Sequence, residues 1–257
     1  MIRVSIITEG ADDVAALTEI LFRFFNARTA KSASPIVRER QQTLRLFEAD
    51  KITPLGELTI TALANDGAID DLLVAKIRAQ PSDGADEERF ALVYDPDERS
   101  VSDCEARFDG RIRALEASGW TVERSSNVWK LVRAEPPTQT SVRAIAWQGQ
   151  CDTPPCLPDR QNLERLLCTI NETTWPDGKA TVNRWLTEID AQRASLGVAG
   201  KPTWKTAIHL WCALVDDKAS EAAVVKKFLG QNEAARTSVK QALLDAGILT
   251  ALEALVR

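Results

Sequence analysis

The chain has 257 residues, 44% of them hydrophobic and 27% charged, which is enough for one large domain or two modest ones around a substantial core. No apolar stretch approaches the roughly 18 residues of a membrane span and no signal peptide is predicted, so we expect a cytoplasmic protein without a membrane partner. The net charge of −5 argues mildly against a dedicated nucleic-acid-binding module, and the five cysteines, without a Cys-x-x-Cys pair, predict reduced thiols.

The first part of the chain alternates strand patterns with helix patterns. Short runs rich in β-formers predict strands, and apolar residues at helical spacing follow three of them. Strands are predicted at 2–8, 57–65, 89–95 and 120–124, and helices at 14–24, 69–77 and 101–118. Such alternation predicts an α/β fold with a mainly parallel sheet flanked by helices.

The second part of the chain is predicted to be helical. Residues 128–148 hold one or two more strands, and prolines at 154, 155 and 158 then break the pattern. From Gln161 onward the apolar spacing is helical. We therefore divide the chain into an α/β domain at 1–150 and a helical region at 151–257, which is either a small second domain or a cap on the sheet.

Acidic residues follow two of the predicted strands. Glu9, Asp12 and Asp13 come after the first strand, and Asp95 and Asp97 after the third. Ligands of open α/β sheets lie beyond the carboxyl ends of the strands, and convergent carboxylates suit Mg²⁺ or Mn²⁺. Aspartate is also favoured in helix first turns and in Asp-Pro-Asp turns, so each cluster taken alone has a structural explanation.

These residues resemble a known family. Glu9-Gly10 followed by Asp13, a glycine at 67 after the second strand, and Asp95-x-Asp97 after the third look like the Toprim domain of topoisomerases, bacterial primases and OLD-type nucleases. The later leucine-glutamate helix around Glu164 and a lysine-bearing helix with tryptophan resemble small Toprim-like proteins. The likeness covers most of the chain.

The resemblance implies a metal-dependent phosphodiester chemistry. Glu9 would be the general acid or base, Asp95 and Asp97 would bind Mg²⁺ or Mn²⁺, and Asp13 and Glu164 would contribute to a second metal position. OLD-type nucleases carry a serine three residues before the later glutamate, where this chain has Gln161. Their distal lysine corresponds to Lys205 or, less well, to Lys201, whose charge would offset that of a phosphate.

A basic stretch lies between residues 22 and 46. It contains six positive residues, against Glu39 alone as an acidic one: Arg23, Arg28, Lys31, Arg38, Arg40 and Arg45. A solvated surface explains such a cluster as well as a ligand does. We predict that Arg38, Arg40 and Arg45 guide the phosphate backbone of a nucleic acid.

Other chemistry-bearing residues are given structural roles. His209, between two tryptophans on a predicted helix, is expected to be packed, and most tryptophans are expected in the core. Tyr94 is predicted to be buried in the third strand, which argues against a topoisomerase nucleophile. No Gly-x-x-x-x-Gly-Lys phosphate loop is present.

Two functions remain in competition. The first is a divalent-metal-dependent nuclease acting on DNA or RNA. The second is a non-catalytic Toprim-like effector or partner-binding subunit, as in anti-phage defence systems with a separate ATPase. A homo-oligomer is compatible with both.

Overall fold

The computed structural model describes residues 2–29, 41–63, 68–80, 88–215 and 233–257. The chain divides into two compact units, which are described separately. The first unit comprises Met1–Tyr94, Arg99–Ala146 and Thr250–Arg257, and the second comprises Asp95–Glu98 and Trp147–Leu249.

All the described strands belong to the first unit and form one sheet. They are β1 (Ile2–Thr8), β2 (Arg28–Thr29), β3 (Gln41–Phe47), β4 (Pro54–Ala62), β5 (Glu88–Tyr94), β6 (Trp120–Ser125), β7 (Val128–Arg133) and β8 (Thr138–Ala146). Their order across the sheet is β2-β3-β4-β1-β5-β8-β7-β6.

Three described helices lie between strands of the first unit, four belong to the second unit, and the last lies mainly in the first unit. They are α1 (Ala11–Phe24), α2 (Ile69–Arg78), α3 (Val101–Arg113), α4 (Leu163–Thr174), α5 (Gly178–Ser195), α6 (Trp204–Val215), α7 (Glu233–Asp245) and α8 (Ile248–Val256), with a 3₁₀ turn at Ala114–Ser118.

The centre of the sheet is parallel and its outer strands are antiparallel. β1 pairs in parallel with β4 and β5, and β5 pairs in parallel with β8. β3 pairs antiparallel with β4, while β6, β7 and β8 form an antiparallel meander. The predicted α/β class is therefore confirmed. The carboxyl ends of β1, β4, β5 and β8 share one edge, where the loops of an α/β sheet place their functional groups.

Each face of the sheet is covered by helices. On one face, Phe90, Leu92 and Trp129 pack with buried side chains of α2 and α3. On the opposite face, Ile6 is buried, and α1 contacts β3 and β4. Burial of side chains on both faces explains why β1 is a nearly continuous apolar run rather than an alternating one.

The helices of the second unit pack on one another. α4 contacts α6 and α7, and α5 contacts α6. Five tryptophans of the chain are buried, as the sequence predicts: Trp120, Trp129, Trp147, Trp204 and Trp211. All five cysteines are buried, and none of them forms a disulfide. The prediction that His209 is packed is wrong, because its position on α6 is exposed.

Candidate functional site

The acidic turn after β1 gives its three carboxylates different surroundings. Glu9 and Asp12 are exposed, whereas Asp13 is only 5% exposed. The Asp13 Oδ2 accepts hydrogen bonds from the Thr8 hydroxyl and from the Gly10 N–H, both at 2.8 Å. The bond from the Gly10 N–H belongs to a capping box at the start of α1, in which the side chain of Asp13 at position N3 accepts the N–H of the N-cap residue. At least one oxygen of Asp13 therefore has a structural role.

Replacing Asp13 with alanine is expected to destabilise the first unit by about 1–3 kcal/mol, because the fully buried Thr8 hydroxyl loses its acceptor and α1 loses a cap. Asp13→Asn retains an acceptor oxygen and should lose less. Urea unfolding of both variants measures the difference. Equal stability of Asp13→Ala and the wild type would show that the cap contributes nothing.

A cavity of about 610 Å³ in the second unit contains four of the predicted site residues: Asp95, Asp97, Glu164 and Lys205. Lys201, Arg160 and Trp204 also line it. The two aspartates come from the turn after β5, Glu164 from the first turn of α4, and Lys205 from the first turn of α6. Residues far apart in the sequence thus share one concave surface.

The aspartate turn is joined to the segment that leads into α4. The Asp97 N–H donates to the Gln161 carbonyl oxygen at 2.9 Å, and the Gln161 N–H donates back to the Asp97 carbonyl oxygen at 3.1 Å. Asp97 has a φ of 55°, in the left-handed region that disfavours residues with a Cβ. Its side chain is exposed. The backbone is therefore held in a costly conformation that presents a carboxylate to the cavity.

The start of α4 is fixed by three further contacts. The Asp95 Oδ1 accepts the Leu163 N–H at 2.9 Å, and the Asn162 side chain caps the helix by accepting the Arg165 N–H at 2.9 Å. The Gln161 Oε1 accepts the Gly149 N–H at 2.9 Å. A Cβ at Gly149 would lie 2.5 Å from the Arg165 carbonyl, so this approach requires glycine. Glu164 is held at the cavity wall as a result.

A buried arginine, Arg165, contacts residues of the segments that line the cavity. The Arg165 guanidinium donates to the Asp159 carboxylate at 2.7 Å and to the Cys151 carbonyl at 3.1 Å. It also lies 5.4 Å from the ring centre of Trp204, whose indole N–H donates to the Pro158 carbonyl at 2.9 Å. These contacts orient the loop before α4 and the start of α6 within the second unit.

Positive and negative charges meet at the cavity. The Lys205 Nζ lies 3.6 Å from a carboxylate oxygen of Glu164, and the lysine side chain is 62% exposed against 12% for the glutamate. Arg160 pairs with Glu98 at 2.7 Å. Lysine at this distance from Glu164 is placed to neutralise either that carboxylate or an anionic ligand.

The other predicted site residues belong to the first unit or lie outside the described residues. Glu9 and Asp13 belong to the first unit. Arg45 is exposed on β3, paired in register with Arg28 of β2 and with Glu57 of β4. Arg38 and Arg40 lie outside the described residues, as does the glycine at 67.

Tyr94 is not placed to act as a nucleophile. It is 1% exposed, its ring packs edge-on against Phe108, and burial raises the pKa of its hydroxyl. Its burial confirms the sequence prediction.

The described ranges contain no group of three or more His, Cys, Asp or Glu side chains that could hold a metal ion. Asp95 and Asp97 are therefore the carboxylates to consider together, since they share one turn. Mg²⁺ is commonly bound by one or two carboxylates, with waters and substrate phosphates as the remaining ligands. The donor set fits that kind of site and not a closed protein cage.

Comparison with known proteins supports the fold. No protein-family profile matches the chain, and no curated protein matches it. The crystal structure of the hypothetical protein PH0156 from Pyrococcus horikoshii OT3 matches with a TM-score of 0.67 and 18% identity, over 100% of this chain and 99% of that one. At this identity the likeness concerns the fold alone. None of the described helices is long and apolar enough to cross a membrane.

Proposed function

We propose that the protein is a divalent-metal-dependent, Toprim-like nuclease that cleaves phosphodiester bonds of DNA or RNA. The observation that carries this proposal is the cavity of the second unit, because it brings Asp95, Asp97, Glu164 and Lys205 onto one surface. Carboxylates beside lysines are the side chains that phosphoryl chemistry needs: the first hold a cation and the second offset phosphate charge.

The metal position proposed is the Asp95-Asp97 turn. Asp97 supplies an exposed carboxylate, and Asp95, whose Oδ1 accepts the Leu163 N–H, lines the same cavity. A bound Mg²⁺ or Mn²⁺ would neutralise the non-bridging oxygens of a phosphodiester.

The cationic side chains of the cavity are proposed to hold the phosphate. Lys205 reaches Glu164 at 3.6 Å, so the arrival of a phosphate would exchange one anionic partner for another without moving the helix. Lys201 lines the same cavity and is exposed. We assign the lysine role to Lys205, since the Glu164 contact orients it.

Glu9 is proposed as the proton-transfer group, on the strength of the family resemblance and of its exposed position directly after the central strand β1. Arg45, with Arg38 and Arg40, is proposed to contact the nucleic-acid backbone. Of the described arginines, Arg28 and Arg45 are both exposed and lie opposite each other across the β2-β3 pair, an arrangement that suits contact with phosphates.

The test is cleavage by the purified full chain with Mg²⁺, Mn²⁺ or Ca²⁺, each against duplex DNA, single-stranded DNA and RNA. We expect cleavage of at least one substrate with Mg²⁺ or Mn²⁺ and none with a chelator. A Lys205→Gln variant is expected to lose activity about 10-fold or more, whereas Lys240→Gln on α7, an equal change of charge at an exposed position, should not. Failure to cleave any substrate with any of these ions would refute the proposal.

One observation favours the second candidate, a non-catalytic subunit. Asp13 and Gln161 both use side-chain oxygens to accept backbone N–H groups, so the proposed second metal position is poorly supplied with ligands. A protein of this kind would bind a partner such as a separate ATPase. Metal binding without cleavage of any substrate, combined with co-purification of an ATPase, would be the evidence for it.

A further inference from the structure

A second cavity, of about 360 Å³, lies in the first unit and is lined by cationic side chains. Four basic residues line it: Arg89, Lys130, Arg143 and Arg257. The other described lining residues are uncharged, with polar Gln139, Thr140 and Ser141 beside apolar Val128, Ala254 and Leu255. Its volume is within the range of about 300–1,000 Å³ that is typical of small-ligand sites.

The strand register explains how the basic residues meet. Arg89 of β5 pairs with Ser141 of β8, which pairs with Lys130 of β7. Neighbouring strands are about 4.8 Å apart, so Arg89 and Lys130 flank Ser141 in one row about 10 Å long. Arg143 lies two residues further along β8 and so projects from the same face, about 7 Å away.

The last turn of α8 closes one side of this cavity. The Arg89 Nη1 donates to the Leu255 carbonyl at 3.2 Å, which fixes the helix end against the strand. Arg257 pairs with Glu253 on the same helix. The face concerned is the one opposite α2 and α3, because Phe90 and Val142, the neighbours of Arg89 and Arg143, belong to the core on that other side.

Arg143 is the least compensated of these cations. It is partly buried, and within the described residues the side chains of Arg143 and of exposed Lys130 make no hydrogen bond or ion pair. Burial lowers the pKa of the Arg143 guanidinium, with no carboxylate acting in the opposite direction. A partly buried guanidinium without an anionic partner, beside other cations, destabilises a fold through lost hydration and repulsion, so its presence calls for a ligand.

We infer that this cavity is a binding site for a phosphate or polyphosphate group, with Arg143 and Lys130 as its principal ligands. One guanidinium group can donate two parallel hydrogen bonds to two oxygens of a phosphate. The uncharged residues Gln139 and Ser141, which also line the cavity, add further hydrogen-bonding groups. The group is carried either by free pyrophosphate or by a nucleotide. This site is distinct from the carboxylate cavity and does not depend on nuclease activity.

The test is calorimetric titration of the metal-free full chain with pyrophosphate and, separately, with ADP. We expect saturable binding of pyrophosphate that weakens as salt is added. Arg143→Gln should raise the Kd about 10-fold or more, and Arg143→Lys should have an intermediate effect because it keeps the charge but loses the paired donors. ADP binding more than 10-fold tighter than pyrophosphate would identify a nucleotide as the source.

Thermal unfolding supplies a second measurement. Without ligand, Arg143→Gln should unfold at the same temperature as the wild type or higher, because it removes an uncompensated charge. With pyrophosphate, Arg143→Gln should gain less stability than the wild type and than the control variant. The matched control is Arg78→Gln, at an exposed position on α2, which should leave Kd within about twofold. The inference would be overturned if the protein did not bind pyrophosphate at millimolar concentration, or if Arg143→Gln and Arg78→Gln lost affinity for pyrophosphate equally. It would also be overturned if a dicarboxylate bound more tightly than pyrophosphate.

Discussion

Replacing Asp97 with glycine is expected to remove metal-dependent cleavage while leaving the protein as stable as the wild type, or more stable by up to about 1 kcal/mol. The φ of 55° at this position is favourable for glycine and costly for aspartate. The backbone hydrogen bonds to Gln161 do not involve the side chain and should persist. Cleavage should fall by at least about 100-fold, since even indirect partners of metal ligands cost about 10- to 100-fold.

Two further variants separate the charge from the backbone effect. Asp97→Asn tolerates the left-handed conformation but cannot supply a carboxylate, so it should also be inactive. Lys51→Gly is the control: Lys51 has a φ of 59°, is exposed and lies in the first unit, so it should gain stability without losing activity. The measurements are cleavage rate, Mn²⁺ binding and urea unfolding.

The double variant Asp95→Ala/Asp97→Ala should also lose both metal binding and cleavage. This variant does not separate metal binding from stability, because Asp95 accepts the Leu163 N–H. Losing that acceptor at the start of α4 should lower the free energy of unfolding by about 0.5–2 kcal/mol. Undiminished Mn²⁺ binding or cleavage in Asp97→Gly and in the double variant would mean that this turn is structural only.

Glu9→Gln is expected to reduce the rate of cleavage by about 100-fold or more while leaving metal binding intact. Glutamine keeps the shape of the side chain and a hydrogen-bonding amide but cannot transfer a proton. Measurement of kcat, of kcat/KM and of Mn²⁺ binding tests this.

Asp12→Asn is the matched control for Glu9→Gln. Asp12 is exposed in the same turn and the substitution removes the same charge, so a general electrostatic effect would appear in both variants. We expect Asp12→Asn to retain nearly full activity. Equal losses in the two variants would refute a proton-transfer role for Glu9.

Much of the first unit could be predicted from the sequence, because its elements carry local signals. β1 is a short apolar run bounded by an acidic turn, and the structure places it at Ile2–Thr8, as predicted. The parallel centre of the sheet follows from strands separated by helices. β6 and β7 each contain alternating buried and exposed residues. Their antiparallel pairing, however, depends on the tight turn at Ser126, where φ is 55°. Serine is not a residue type that predicts a positive φ.

The edge of the sheet is less visible in the sequence. β3, at Gln41–Phe47, overlaps the end of the basic stretch and alternates buried with exposed residues over Leu44, Arg45 and Leu46. Its polar residues and Arg45 nevertheless make it resemble a solvated surface. Its identity as a strand comes from pairing with β4. Pairing is a non-local interaction, and short edge strands are therefore predicted poorly from composition alone.

The sequence by itself determined which carboxylates follow strands, that Tyr94 is buried and that the second part of the chain is helical. Only the tertiary structure decided how those side chains are used. Asp13 is turned inward as a helix cap, whereas Asp97 is exposed in a left-handed turn, and Glu164 and Lys205 are brought to one cavity by the packing of α4 and α6. The cationic cavity around Arg143 likewise depends on strand register, which couples residues 52 positions apart in the pairing of Ala91 with Arg143 and of Arg89 with Ser141 across β5 and β8. Spacing along a chain fixes the face of an element on which a side chain lies, but the partner that the face meets is set by long-range packing.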